Sequence, residues 1–360
     1  MTTLAAACEV IAEAGVNHNG REDLALRLVE AAAEAGADAV KFQTFDPGEL
    51  AVASAATAAY QAGAGAGAEQ RAMLESLVLP LPALRLAAAR AGELGIAFLS
   101  TPFDLGSARF LVEELGMTRI KVGSGELTNL PLLLGLARLG RPLLLSTGMA
   151  TLAEVREALG VVVFARLTEA RTPPSRQAFR EALHSAEAAA ILAETVVMQC
   201  TTQYPAPNDQ ANLRVMDAYR ALGVRPGYSD HTQGIDIALA AVARGAEAIE
   251  KHLTLSRDLP GPDHAASLEP DEMAALVRGA RRVVQALGSA DKAPVEAERA
   301  NMAVARRVLV AARAIALGEA FSVDNVAARR AGAGLSPADY WSLIGRPASR
   351  AYAAEDPLVE

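Results

Sequence analysis

The sequence predicts an α/β protein: a (β/α)8 TIM barrel followed by a small C-terminal domain. Short β-branched or apolar runs alternate with longer alanine-rich stretches of helical period, the pattern of repeated βα units around a parallel sheet. Eight such runs fit the length of about 250 residues that is typical of this barrel. Because the chain has 360 residues, we expect a second compact domain as well.

Each predicted strand ends in polar or glycine-containing residues. The strands are CEVIAEAG (8–15), DAVKFQT (38–44), IAFLSTPF (96–103), RIKVGSGE (119–126), PLLLSTG (142–148), TVVMQCTT (195–202), RPGYSDHT (225–232) and AIEKHLT (248–254). The carboxyl ends of barrel strands build the active site. Lysine and histidine on otherwise apolar strands are not ordinary loop composition, so the pattern favours an enzyme over a scaffold.

Two segments interrupt the alternation. Residues 51–70 are low in complexity and predict a mobile loop, and the connection 150–194 predicts an insertion between helices, both on the side where substrates enter. Beyond 287–302 the pattern changes to short β-like runs and glycine turns. The predicted domains are therefore a barrel over 1–288, a linker over 289–304 and a small domain over 305–360.

Composition excludes several classes of protein. The net charge of −8, without a basic arm, argues against nucleic-acid binding. The first 15 residues lack a basic leader, and no uninterrupted apolar run approaches about 20 residues, so we expect no membrane association and a cytoplasmic location. Cys8 and Cys200 are interpreted as small buried apolar residues.

Two histidines occupy matching positions in GYSDHT and EKHLT. His231 and His252 end predicted strands seven and eight, which are neighbours in a barrel, so their imidazoles can converge. A histidine pair is often structural, but carboxylates at Asp230, Asp263 and Glu13 favour a divalent metal site.

Lys41 and Lys121 lie on apolar strands, where a buried ammonium group without an anion is costly. The hydroxyls and glycine-rich amides of KVGSGE, STPF and STG suit a phosphate or carboxylate partner. Strand alternation turns Lys251, next to His252, to the opposite face, so we interpret Lys251 as structural. In EAGVNHNG, a loop held by Asx turns and a substrate role for His18 are equally open, and Glu13 is the better candidate.

The motifs together resemble the sialic acid synthases, including the bacterial synthases of legionaminic and pseudaminic acids. The resemblance covers nearly the whole chain: IAEAGVNHNG, GADAVKFQTF, FLSTPFD, IKVGSGELTNLPLL, LLSTGM, CTTQYPAP, NLRVM, GYSDHT, EKHLT, LPGPDHAASLEP and a tail similar to the antifreeze-like SAF domain. It implies condensation of phosphoenolpyruvate with an N-acylated hexosamine, N-acetylmannosamine or 2,4-diacetamido-2,4,6-trideoxymannose, giving a nine-carbon 2-keto acid and phosphate.

The resemblance also implies roles for individual residues. His231 and His252 match metal ligands, with Mn²⁺ the usual ion and Mg²⁺ or Co²⁺ as alternatives. Positions on the phosphoenolpyruvate side are Lys41, Gln43, Thr101, Lys121, Ser124, Ser146 and Thr202. Glu13, Glu126, Tyr204 and Asp263 match positions around the amino sugar, and Glu13, Glu126, Asp263 and Lys121 are the catalytic candidates. Arg330 matches an arginine that reaches into the partner's barrel in a domain-swapped homodimer.

Two alternatives remain at this stage. A related ulosonate synthase would use a phosphorylated sugar and need a second cluster of lysine or arginine at the barrel mouth. A non-catalytic carbohydrate-binding protein would not need two histidines, two lysines and several carboxylates at strand ends.

Overall fold

Eight parallel strands form the predicted sheet in a computed structural model that describes residues 8–52, 54–55 and 70–359. The strands are β1 (Glu9–Gly15), β2 (Ala39–Thr44), β3 (Ala97–Pro102), β4 (Ile120–Val122), β5 (Leu143–Ser146), β6 (Val196–Cys200), β7 (Arg225–Asp230) and β8 (Ala248–His252). Each lies inside one of the segments predicted from sequence. The predicted segments are longer because they include the polar residues that follow each strand.

The sheet closes into a TIM-like near-barrel. Its strand order is β3-β2-β1-β8-β7-β6-β5-β4, so that the first and eighth strands are hydrogen-bonded neighbours. The two strands at the ends of this order, β3 and β4, also contact each other. Register pairs of neighbouring parallel strands present their side chains on the same face, which decides below which residues meet inside the barrel.

Helices form the outer layer of the barrel. They are Glu22–Glu34 after β1; Pro47–Leu50, Gln70–Leu77 and Leu81–Glu93 after β2; Leu105–Arg109 after β3; Leu130–Arg138 after β4; Leu152–Leu167, Arg176–Leu183 and Ala188–Glu194 after β5; Val215–Ala221 after β6; Asp236–Ala243 after β7; and Pro270–Leu287 after β8. The first helix buries Leu24, Leu28 and Val29, whereas Glu22 and Asp23 in its first turn are exposed and complement the helix dipole.

The insertion predicted over 150–194 consists of helices that pack on one another. Phe164 and Phe179 meet edge to face with ring centroids 5.2 Å apart, and a Cβ at Gly160 would lie 2.6 Å from the Phe179 carbonyl oxygen. This close approach needs glycine. No residue from 153 to 194 belongs to the described lining of the cavity at the strand ends. The segment thickens the helix layer, and its first residues, Ala150 and Leu152, line a larger adjoining cavity; its place on the substrate side stays a prediction.

Most of the predicted mobile loop 51–70 lies outside the described residues. In the part of the chain that the structure describes, no single helix is long and apolar enough to cross a membrane, and only Gln70–Leu77 and Leu81–Glu93 taken together, bent by 53°, reach that length and composition.

A second compact unit begins at Ser289, after a first unit that extends through Gly288. Its strands β9 (Val308–Ala311) and β10 (Val326–Arg329) pair antiparallel, and its core includes Leu309, Phe321, Tyr352 and Leu358. Helices Glu296–Ala305 and Tyr340–Leu343 complete it. The predicted linker 289–304 thus contains most of a helix.

A buried ion pair stabilises the join between β7 and β8. Asp230 and Lys251 are register partners, both about 1% exposed, and the Lys251 ammonium lies 2.7 Å from Asp230 Oδ2. Asp230 Oδ1 also accepts hydrogen bonds from the backbone and hydroxyl of Thr232. The structural interpretation of Lys251 therefore fits, whereas the expectation that Asp230 adds a carboxylate to the histidine pair is wrong.

We predict that Asp230→Ala destabilises the fold by about 3–5 kcal/mol, because it leaves the Lys251 ammonium buried without an anion. Asp217→Ala is the matched control, since Asp217 makes exposed ion pairs with Arg220 and Arg244 and its loss costs about 1 kcal/mol or less. Urea unfolding followed by circular dichroism measures both. Equal losses for the two variants would contradict the assignment.

Candidate active site

A cavity of about 350 Å³ opens at the carboxyl ends of the strands. Its lining includes two lysines, two histidines and three acidic residues: Lys41, Lys121, His231, His252, Glu13, Glu250 and Asp263. A larger cavity of about 890 Å³ adjoins it and shares Met149, Cys200 and Thr202, but its lining residues are all uncharged. The smaller cavity is therefore the candidate active site, because it gathers the groups able to bind anions and transfer protons.

Two lysines and two glutamates form a buried cluster on the cavity floor. Glu13 on β1 and Lys41 on β2 are register partners, and Lys41 Nζ lies 2.6 Å from Glu13 Oε2 and 3.7 Å from Glu250 Oε2. Lys121 on β4 lies 3.4 Å from Glu250 Oε1, so that this pair spans the barrel interior. All four are no more than 4% exposed. The lysines therefore have internal anionic partners, which the sequence did not predict.

Burial and the neighbouring opposite charges shift the pKa values of these four residues in opposite directions. Burial lowers the pKa of Lys121, and the Glu250 carboxylate offsets it only in part. For Lys41, burial is outweighed by Glu13 and Glu250, which raise its pKa. The same burial raises the pKa of Glu13 despite Lys41, whereas Lys121 and Lys41 overcome burial at Glu250 and hold its pKa at about 2. Lys121 therefore loses its proton more readily than Lys41.

Hydroxyl groups line the cavity beside the lysines. Thr101 Oγ1 accepts a hydrogen bond from Lys41 at 3.1 Å, and Ser124 Oγ accepts one from the Gly148 backbone at 3.0 Å. Ser146 Oγ and Thr202 Oγ1 are buried without a hydrogen-bond partner. Buried polar atoms are normally paired, so two unpaired hydroxyls facing one cavity indicate a ligand site.

Gly148 has no room for a side chain at this point. A Cβ there would lie 2.1 Å from Thr202 Oγ1 and 2.9 Å from Ser124 Oγ. The glycine lets the backbone after β5 approach both hydroxyls and supply an amide beside them. This close approach therefore requires glycine, and the anion-binding role of STG stays a prediction.

The two imidazoles converge as the strand positions predict. The rings of His231 and His252 have centroids 5.4 Å apart, and the Tyr204 ring lies 4.1 Å from that of His231 and 5.7 Å from that of His252. His231 Nδ1 hydrogen-bonds to the Thr201 carbonyl at 2.9 Å, which leaves Nε2 available as a ligand atom. Asp263 Oδ2 lies 3.9 Å from His252 Nδ1.

This arrangement fits a divalent metal that takes some ligands from water or substrate. His252 Nδ1 is buried without a hydrogen-bond partner, and burial with the neighbouring His231 lowers the His252 pKa well below its usual value, so its ring is neutral. Among the described residues, no group of three or more His, Cys, Asp or Glu is placed to hold a metal. The two histidines would need added oxygen ligands, which suits Mn²⁺, Co²⁺ or Mg²⁺ better than a closed structural zinc site.

Comparison with known proteins agrees with the predicted resemblance. Residues 28–292 match the NeuB family, and residues 306–360 match the SAF domain. The chain belongs to the NeuB family. It is 42% identical to the N,N'-diacetyllegionaminic acid synthase of Campylobacter jejuni over 352 residues, covering 97% of this chain and 98% of the relative. The Legionella pneumophila enzyme of that name is 40% identical over 340 residues, covering 94% and 89%.

Two solved structures share the architecture. The N-acetylneuraminic acid synthetase of Leptospira borgpetersenii has a TM-score of 0.66 at 30% identity, covering 82% of this chain and 90% of that chain. The spore coat protein SpsE of Bacillus subtilis has a TM-score of 0.60 at 32% identity, covering 98% and 94%. The prediction of a barrel followed by a SAF domain is confirmed.

Most of the residues proposed from the resemblance line one cavity. They are Glu13, Lys41, Gln43, Thr101, Lys121, Ser124, Ser146, Thr202, Tyr204, His231, His252 and Asp263. Gln43 Nε2 donates to Glu13 Oε1 at 3.1 Å and so helps to orient that carboxylate.

Two of the proposed residues lie elsewhere. Glu126 is in the short 3-10 helix Ser124–Glu126, where its Oε2 accepts from Asn129 Nδ2 at 2.7 Å, and it is not among the described lining residues. The predicted strand 119–126 ends at Val122, so Glu126 does not share the inward position of Glu13. Arg330 belongs to the second unit, directly after β10, and is exposed.

Sequence reasoning did not single out Glu250 as a cavity residue and interpreted Cys200 only as a packing residue. Glu250 lies two positions before His252 on β8, and the period of two along a strand places both on one face. This spacing was the signal for Glu250. Cys200 is buried as expected but is more than a packing residue, because its Sγ lies 3.7 Å from His231 Nδ1 and 3.6 Å from Ser124 Oγ.

We predict that Glu250→Gln abolishes measurable turnover and lowers the free energy of unfolding by about 3–5 kcal/mol, since it leaves Lys121 buried without its carboxylate. Glu247→Gln is the matched control, because Glu247 lies directly before β8 and its ion pair with Arg225 is partly exposed to solvent. Thermal unfolding and an activity assay test both variants. A stable Glu250→Gln protein would show that the carboxylate does not compensate Lys121.

Proposed function

We propose that the protein condenses phosphoenolpyruvate with an N-acylated hexosamine to give a nine-carbon nonulosonic acid and phosphate. The observation that carries the proposal is one cavity that combines two buried lysines, unpaired hydroxyls and a convergent histidine pair. The similarity to N,N'-diacetyllegionaminic acid synthases supports the same reaction class.

The lysine side of the cavity suits phosphoenolpyruvate. Lys41 and Lys121 supply cationic charge, and Thr101, Ser124, Ser146 and Thr202 supply hydroxyl donors for phosphate and carboxylate oxygens. Because Glu13 and Glu250 already neutralise the lysines, the hydroxyls and the Gly148 region must contribute much of the anion binding. Ser146 Oγ and Thr202 Oγ1 gain their missing partners when an anion is bound.

The histidine side suits the sugar aldehyde. We propose His231 and His252 as the ligands of a divalent metal, with Mn²⁺ the first choice. When bound, such an ion polarises a carbonyl as a Lewis acid. Tyr204 packs against both imidazoles, and the Asp263 carboxylate faces His252, so the protein itself fixes the orientation of this half of the site.

The bond changes balance with the help of one water molecule. The C2–C3 double bond of phosphoenolpyruvate supplies the electron pair that bonds C3 to the aldehyde carbon of the open-chain sugar, the aldehyde oxygen takes a proton to become a hydroxyl, and positive charge develops at C2. Water adds at C2 and loses a proton, and the C2–O bond to phosphate then breaks so that phosphate leaves with that electron pair, while the remaining hydroxyl loses its proton to give the ketone. We propose that Glu13 or Asp263 stabilises the charge at C2 and orients the water, because both carboxylates line the cavity.

A sugar without a phosphate group fits the cavity better than a phosphorylated one. Both cations among the described lining residues, Lys41 and Lys121, are already paired with carboxylates. Another part of the lining is an apolar cluster built by Val16, Phe45, Leu50, Met73, Leu74, Leu77 and Phe103. Such a cluster suits acyl methyl groups and gives no counter-charge to a second phosphate.

The reaction is tested by phosphate release from phosphoenolpyruvate with Mn²⁺ and either N-acetylmannosamine or 2,4-diacetamido-2,4,6-trideoxymannose. We expect release with at least one sugar and loss of release with a chelator, restored by added metal. A phosphorylated N-acylhexosamine serves as the control for the competing reaction. Release with that sugar alone would overturn the choice of substrate, and release unaffected by chelation would remove the metal.

We further propose that a second copy of the chain contributes Arg330 in a domain-swapped homodimer, where the guanidinium contacts the sugar's N-acyl group. Its support is the match to the family's arginine position together with the exposure of the side chain. In such a dimer each site takes residues from two chains.

We predict that Arg330→Ala and Lys121→Ala are each nearly inactive but recover activity when refolded together. A mixed dimer then has one intact site and one doubly altered site, so about a quarter of wild-type activity returns for random pairing. Mixing each variant with itself is the control. No recovery in a mixture shown to contain mixed dimers would exclude a shared site.

A further inference from the structure

The loop after β1 hydrogen-bonds to the loop after β8 at several points. Asn17 Nδ2 donates to the Leu253 carbonyl at 2.8 Å and to Ser267 Oγ at 2.9 Å. Asn19 Nδ2 donates to the Pro260 carbonyl at 2.8 Å. These two asparagines, from NHNG, therefore hold the start, middle and end of the segment 253–267.

The same hydrogen bonds lead to a carboxylate of the cavity. Ser267, which accepts from Asn17, donates its own hydroxyl to the Asp263 carbonyl at 2.7 Å. Asp263 is the acidic residue that this segment contributes to the described lining of the cavity. Its position depends on the segment, which apart from the short 3-10 helix His264–Ala266 has no regular structure. Backbone hydrogen bonds join its two ends, Thr254 N to the Leu268 carbonyl and Leu268 N to the His252 carbonyl, and side-chain hydrogen bonds help to define the conformation between them.

Neighbouring contacts leave little freedom in this arrangement. His264 Nδ1 bonds to Thr254 Oγ1 at 2.7 Å, and its Nε2 lies 3.3 Å from Asn19 Nδ2. Gly261 has a φ of +146°, and a Cβ there would lie 2.7 Å from His264 Cδ2 and 2.8 Å from Asn19 Oδ1. Only glycine allows this close approach.

His18 stabilises the asparagine loop from within. It is fully buried, and its Nδ1 accepts a hydrogen bond from the Gly20 backbone at 3.0 Å. Burial lowers the His18 pKa to about 4, so the ring is a neutral acceptor. His18 is absent from the described lining of the cavity, which favours its structural interpretation over a substrate role.

We propose that Asn17 and Asn19 are positioning residues that act on the reaction through Asp263. Asn17 is 2% exposed and spends both amide hydrogens on the segment that carries this carboxylate. A displacement of a reacting group by about 1 Å can cost about 100-fold in rate. The kinetic part of this inference rests on the proposed condensation, whereas the structural part does not.

The test compares Asn17→Ala in the wild-type chain and in an Asp263→Ala background. We expect Asn17→Ala alone to lower kcat/KM for the sugar about 10- to 100-fold, with the KM for phosphoenolpyruvate changed less than about twofold. In the Asp263→Ala background the same change should cost less than about twofold, because residues that act as a unit are not additive. Equal losses in the two backgrounds would overturn the proposal.

The control for general destabilisation is Thr195→Val. Thr195 is buried at the opposite end of the barrel and donates to the Ile191 carbonyl at 3.0 Å, so this variant also removes a buried hydrogen bond. We expect it to lower the melting temperature and keep wild-type kcat/KM. A loss of activity by Asn17→Ala no larger than that of Thr195→Val contradicts a positioning role.

Amide hydrogen exchange separates this inference from the proposed function. Asn17→Ala should speed exchange over residues 254–267 and leave the strands unchanged, whereas Thr195→Val should not. If the wild type releases no phosphate with any sugar, the proposed function fails. The hydrogen-exchange rates of Asn17→Ala still test whether Asn17 holds the segment after β8 in place. Unchanged exchange over 254–267 in Asn17→Ala would overturn the inference.

Discussion

The buried cluster of Lys41, Lys121, Glu13 and Glu250 is the constraint on which the barrel interior depends. Two ammonium groups at this depth are tolerated only where carboxylates meet them with good geometry. The pairing of Lys41 with Glu13 follows from the register of β1 and β2, and that of Lys121 with Glu250 requires β4 and β8 to face each other across the barrel. The charge pattern therefore favours closure of the sheet as well as the chemistry at its carboxyl end.

Strand alternation separates the groups that stabilise the fold from those that face the cavity. On β8, Glu250 and His252 point inward, while Lys251 between them points away and pairs with Asp230 of β7. On β7, Ser229 points inward and donates to Glu250 at 3.1 Å. A shift of one residue in the register of β7 or β8 would exchange the two sets, so the outward ion pair also protects the site against misregistration.

The sequence predicted those features that depend on period and order. Eight alternating segments define the barrel, and the ends of neighbouring strands bring His231 and His252 together. It did not predict the partners of the lysines, because an ammonium group on an apolar strand gives no sign of which carboxylate lies across the barrel. The resemblance placed Glu126 with Glu13 around the amino sugar, but the chain turns into a 3-10 helix after Gly123 and Glu126 is not among the described lining residues. The bonds made by Asn17 reach residues more than 230 positions away and leave no local pattern.

The cavity combines firm internal pairing with polar atoms that lack partners. Lysines and glutamates form ion pairs, yet Ser146 Oγ, Thr202 Oγ1 and His252 Nδ1 remain buried and unpaired. A buried polar atom left without a partner costs about 1–3 kcal/mol, so a ligand that hydrogen-bonds to these atoms gains free energy on binding. The unpaired atoms are two hydroxyls, which suit an anion, and an imidazole nitrogen, which suits a metal ion or a proton donor, so one kind of ligand does not satisfy them all.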